Sequence, residues 1–134
     1  MNGGPVFSRA HGSEMWVLLL EKAYAKLHGN YYTLRGGFAS EGMIDLTGNP
    51  TECFDFNDPI AVEMIKKGTF FDMMINFDKM NFLMSASTPG EDLWTEAGRP
   101  SQEGGLVPGH AYSVITVLKT KEGIKLLKIR NPWG

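Results

Sequence analysis

His110 opens a run of alternating residues, Ala111 to Leu118, and Asn131 closes a second strand-like run, Ile124 to Arg130. Lys119 to Gly123 lies between them and reads as the turn of a β-hairpin. Strict alternation puts Tyr112, Val114 and Thr116 on one face, and Ser113, Ile115 and Val117 on the other. A turn centred between Thr120 and Lys121 makes His110 and Asn131 direct cross-strand partners, about 4.5–5.5 Å apart at Cα with side chains on one face. A slip of one residue makes them diagonal neighbours instead. An asparagine oxygen beside a histidine can accept from one ring nitrogen, which fixes the tautomer and aims the other nitrogen at a nucleophile. Pro132 pushes Asn131 into extended backbone, and Trp133 stands where it can roof the pair against water. The same residues also fit a plainer account: His110 a capped turn residue, Asn131 a turn former.

The nucleophile such a pair serves in thiol proteases is a cysteine, held as thiolate by the imidazole. The chain has one cysteine, Cys53, in Thr51-Glu52-Cys53-Phe54, which reads as a small buried hydrophobe. A lone cysteine makes no internal disulfide, which fits a reducing, intracellular compartment. His11, His28 and His110 form no zinc spacing, and Asp55, Asp58, Asp72, Asp78, Glu91 and Asp92 form no EF-hand spacing. These carboxylates read as scattered surface charges.

The elements that position the pair are short. A helix is expected over Ser13 to His28, with Ser13 as its cap and Gly29 as its stop. It is apolar nearly all round in its first two turns, as a helix buried between layers would be, with the second layer at least in part missing from these residues. A turn or short helical piece follows over Tyr31 to Gly37, then a helix from Ser40 to Leu46. Thr51 to Phe56 reads as a strand, Pro59 to Lys67 as a helix ending at Gly68, and Phe70 to Phe77 and Asn81 to Ser85 as strands. Ser87 to Pro108 is rich in Gly and Pro and is expected to be a mobile loop that helps gate a cleft. The fold class is α+β, short helices around an antiparallel sheet with the hairpin as its backbone.

At 134 residues, 43% hydrophobic and 21% charged, the chain is one domain's worth of sequence and can bury a core, which excludes intrinsic disorder. A net charge of -2 gives no basic footprint for nucleic acid. Met15 to Leu20, the longest apolar run, is far short of the roughly 20 residues of a membrane span. The N-terminus lacks a signal-peptide layout, and both ends read as cut.

Four blocks resemble the calpains, calcium-dependent cysteine endopeptidases, in family order. They are Leu19 to Gly29, Gly36-Gly37 with Asp45-Leu46-Thr47-Gly48, Gly105 to Val114 around Gly109-His110-Ala111-Tyr112, and Ile129-Arg130-Asn131-Pro132-Trp133-Gly134. Asn57 to Gly104 matches weakly. The resemblance implies a papain-like core of two halves around a cleft, with residues 1–36 the tail of the first half and 37–134 the second, truncated at its C-terminus. It implies His110 as general base, Asn131 as its orienter, Trp133 as their shield, and Gly37 and Gly109 where the substrate backbone passes. The family's nucleophile and oxyanion glutamine lie in a Gln-x-x-x-Gly-x-Cys-Trp-like block, which these residues do not contain, and Cys53 stands where the family has an apolar residue. The stretch from His110 to Asn131 is short for the family, and Pro108 stiffens the approach to Gly109. Calcium is implied for the intact core, with no metal site complete within this chain. The partners implied are protein or peptide substrates and the rest of the first half, with no nucleic acid and no transmembrane segment, in the cytoplasm. The function implied is a fragment of an intracellular thiol endopeptidase, inactive alone. The alternative is part of a catalytically dead relative that acts in regulation or interaction.

Overall fold

The computed structural model describes residues 7–90 and 105–132, in two compact units that comprise 1–41 and 42–134. The arrangement is α+β, as the composition of elements implies: helices and a three-stranded antiparallel sheet in the order β1-β2-β3.

In the first unit, α1 spans Trp16–Leu27. Ser13 is not its cap. Gly12 at φ 61° and a bond from the Glu14 N–H to the His11 carbonyl (3.3 Å) draw Ser13 into a turn, and Met15 takes the N-cap position without a side-chain bond. Most of the helix is exposed. Ala25 is its one buried residue, while Trp16 and Leu19 are 62% and 61% exposed. The Glu21 carboxylate ties down the preceding segment by accepting from the backbone N–H of Ser8 (2.6 Å) and of Phe7 (3.4 Å). A 3-10 helix, Tyr31–Arg35, then starts at Asn30, whose side-chain oxygen accepts from the N–H groups of Tyr32 and Thr33 at 2.8 and 3.2 Å. Helix α2 (Ala39–Thr47) crosses the division between the units.

In the second unit, Thr51 to Phe56 is not a strand. Asp55 folds back on the Asn57 N–H (2.8 Å), and Phe54 and Phe56 pack edge-on against Phe70 at 5.3 and 5.2 Å. Helix α3 (Pro59–Lys67) has the ends its sequence specifies: Asp58 caps the Ile60 N–H at 2.7 Å, and Gly68 leaves in the left-handed region. Helix α4 (Thr69–Lys79) replaces the strand expected over Phe70 to Phe77. Its aromatic content favours a strand, but Phe70, Met74 and Phe77 also recur at helical spacing, and that period governs. The helix closes in a Schellman turn. Asn81 takes φ 59°, the Phe82 N–H reaches the Phe77 carbonyl (2.9 Å), and the two rings stack at 5.3 Å. That closure delays β1 to Met84–Ser87.

β1 pairs with β2 (Ala111–Lys119), and β2 pairs with β3 (Lys125–Arg130). The hairpin turn centres on Glu122 rather than between Thr120 and Lys121. Thr120 exchanges bonds with Ile124 and Gly123, and Gly123 takes φ 87°, as a loop of Lys121, Glu122 and Gly123 requires. From this turn the register runs Lys119↔Lys125 through Thr116↔Lys128, then resumes as Val114↔Ile129 and Ser113↔Arg130. Ile115 is skipped, a single-residue bulge. Tyr112, Val114 and Val117 are therefore the buried positions, and strict alternation along β2 does not hold past Ile115.

Of the loop expected over Ser87 to Pro108, residues 91–104 lie outside the described residues, as does Trp133. Among the described residues no helix is long and apolar enough to cross a membrane.

Candidate active site

His110 enters β2 through a turn. Val107, Pro108 and Gly109 precede it, and the Pro-Gly order with Gly109 at φ 63° is what a type II turn asks for. The segment after β1 clasps this turn. The Gly109 N–H donates to the Pro89 carbonyl (3.1 Å), and the Thr88 N–H donates to the His110 carbonyl (3.0 Å). The Thr88 hydroxyl accepts from the His110 N–H (3.1 Å) and donates to the Val107 carbonyl. Backbone groups on both sides of His110 are thus fixed by one threonine.

Tyr112 fixes the turn from the other side. It lies two residues along β2, on the histidine's face, and is 5% exposed. Its hydroxyl accepts from the buried Val107 N–H at 2.7 Å, and its ring meets the His110 ring nearly edge-on, centroids 5.0 Å apart at 82°. The imidazole is itself buried, 7% exposed.

Asn131 completes the arrangement. Its Oδ1 lies 2.9 Å from His110 Nε2. An amide oxygen only accepts, so Nε2 carries the hydrogen, and the nitrogen that would take a nucleophile's proton is Nδ1. The two residues are diagonal rather than directly paired: continuing the register one step beyond Ser113↔Arg130 sets Asn131 opposite Tyr112. The bulge makes this possible. Run without a break from its turn, the hairpin would set Asn131 opposite Ser113, on the face away from His110.

Of the remaining expected site residues, Trp133 lies outside the described residues. Gly37 is in the first unit, where an added Cβ would meet only the Glu41 carboxylate, at 3.7 Å. Gly109 adjoins His110, and its positive φ gives it a backbone reason to be glycine. Cys53 is exposed rather than buried, and it sits ahead of α3 on none of the elements that hold His110. Several carboxylates read as loose surface charge have fixed work: Asp58 caps α3, Asp55 closes a turn, and Asp78 accepts from the backbone of β2. Among the described residues no three of His, Cys, Asp and Glu gather as a metal would need. Sequence reasoning missed Thr88 and Tyr112. Tyr112 was open to it, being two residues from His110 on one strand, whereas Thr88 joins the site only through the pairing of β1 with β2.

The sequence model of the calpain family cysteine proteases matches residues 1–134. The chain is 39% identical over 134 residues to the calpain-type cysteine protease DEK1 of Zea mays, an alignment that takes in 98% of this chain and 6% of that protein. It is 37% identical over 129 residues to Calpain-A of Drosophila melanogaster, covering 91% of this chain and 14% of the relative. It is 40% identical over 129 residues to Calpain clp-1 of Caenorhabditis elegans, covering 93% and 15%. The chain thus spans a small part of the length of each.

Proposed function

Because the chain belongs to the calpain family of cysteine proteases, we propose that these residues supply the general base and its orienter to a thiol endopeptidase. In this reading residues 1–36 end the first half of the protease core and 37–134 belong to the second. His110 Nδ1 takes the proton of a cysteine thiol from the rest of the core, and the resulting thiolate attacks the scissile carbonyl. The imidazolium then returns the proton to the leaving amine, and water, deprotonated by the same nitrogen, releases the acyl group. Asn131 holds the ring in the tautomer and orientation that both transfers need, without itself moving a proton. Gly109 and Gly37 leave room for the substrate backbone, and Trp133 shields the His–Asn bond. The substrates are proteins or peptides in an intracellular setting. Calcium control belongs to the intact core rather than to the residues described.

The observation that carries this reading is the 2.9 Å bond between His110 Nε2 and Asn131 Oδ1, made by a histidine whose backbone is clasped on both sides. A dead relative acting only as an interaction module has no call for a ring so oriented. A fluorogenic peptide assay on the 134-residue chain, with and without a thiol alkylator, tests the division of roles. The expected result is no turnover in either case, since the chain lacks the nucleophile and oxyanion block. Turnover that disappears on alkylating Cys53 would overturn it.

A further inference from the structure

The bulge at Ile115 sets Asn131 on the histidine's face, and the edge of β2 that borders β1 shows what holds it there. Backbone amides along a strand point alternately to its two neighbours. The Thr88 N–H bonds the His110 carbonyl, so His110, and by alternation Tyr112 and Val114, turn their polar groups toward β1. From the hairpin end, Thr120 bonds Ile124, so Thr120, Leu118 and Thr116 turn toward β3, and Val117 turns toward the β1 side. One edge is thus claimed by even-numbered residues up to Val114 and by an odd-numbered one at Val117. Both claims hold only if one residue between them is skipped. β1 has ended by then, its last pair being Met84↔Val114. The partner of the Val117 N–H is the Asp78 carboxylate, whose Oδ2 accepts it at 3.1 Å in a part-buried setting. Asp78 is placed there by the Schellman turn that ends α4, in which the Asn81 N–H bonds the Asp78 carbonyl (3.0 Å).

We propose that Asp78 is a positioning residue for the His110–Asn131 pair: by accepting the Val117 N–H it fixes the skip at Ile115, and the skip presents Asn131 to the imidazole. The inference rests on the reading of His110 and Asn131 as base and orienter. Asp78 touches neither residue and acts only through the register of the hairpin.

The test is made in the intact protease that carries these residues, by peptide turnover together with the ¹⁵N resonances of the His110 ring. Asp78→Ala should lower kcat about tenfold, the effect of losing one charge-assisted hydrogen bond, and leave KM unchanged. Its His110 resonances should move toward those of Asn131→Ala. Asp78→Asn, which keeps an acceptor oxygen, should keep most of the rate. Added to Asn131→Ala, Asp78→Ala should lower kcat no further, because the two changes break one interaction. An Asp78→Ala protein with the parent kcat and resonances, an Asp78→Asn protein as impaired as Asp78→Ala, or a full additional loss on top of Asn131→Ala would each overturn the proposal. Should Asp78→Ala not fold, amide exchange at Val117 in the parent decides: protection well above that of Leu127 and Ile129, whose amides face away from β2, supports it, and equally fast exchange overturns it. Undiminished turnover by His110→Ala would instead refute the reading of the site on which the proposal stands.

Discussion

Gly109 delivers His110 to β2 through φ 63°, a conformation that costs an L-residue about 1–2 kcal/mol. Gly109→Ala should therefore destabilise the fold by about that amount and also lower turnover, since the strained turn can relax only by moving the histidine. Paired denaturation and kinetic measurements check this. A stability loss with unchanged kcat would uncouple turn and site. Tyr112 offers a cleaner separation. Tyr112→Phe keeps the ring beside His110 but leaves the buried Val107 N–H without its acceptor, a loss of about 1–3 kcal/mol. The midpoint of denaturant unfolding should fall accordingly, and no change would mean that the amide finds another partner.

Among the elements, the end of α4 is the joint on which the sheet is set. Asn81 adopts φ 59° to close that helix, and its neighbours Phe77 and Phe82 stack across the turn. Asn81→Gly should be tolerated, while Asn81→Val should cost about 1–2 kcal/mol, because a β-branched residue is poorly suited to the left-handed region. Equal stabilities, read by thermal unfolding, would contradict the role given to this turn. These elements also show how far a sequence can be read. Helix α3 was legible from Asp58-Pro59 at one end and Gly68 at the other, since caps are local chemistry. The strands of the hairpin were legible from alternation, and with them the nearness of His110 and Asn131. Their register was not. A turn centred on Glu122 and a skip at Ile115 each move the pairing, and neither leaves a periodic mark. α4 was misread because a run rich in Phe and Met satisfies both the strand's composition and the helix's spacing. Thr88 and Asp78 were out of reach, since each acts on β2 from an element whose place only the folded chain reveals.

At the scale of the whole molecule, apolar side chains remain on the surface of both units. Trp16, Leu19 and Leu27 are exposed on α1, and Leu127 and Ile129 are exposed on β3, the strand that leads to Asn131. Large apolar exposure is a mark of interaction surfaces, and the chain spans 6% of the length of its Zea mays relative. On the proposed reading these residues are the base-bearing side of a larger active site, and the decisive test is made in the intact protease. The measurement is kcat/KM for a peptide substrate with His110→Ala. Loss of the base should reduce it about 10³-fold or more, to the background left by binding and the oxyanion hole, with Asn131→Ala retaining a weaker residual activity. Turnover by His110→Ala within tenfold of the parent would contradict the account.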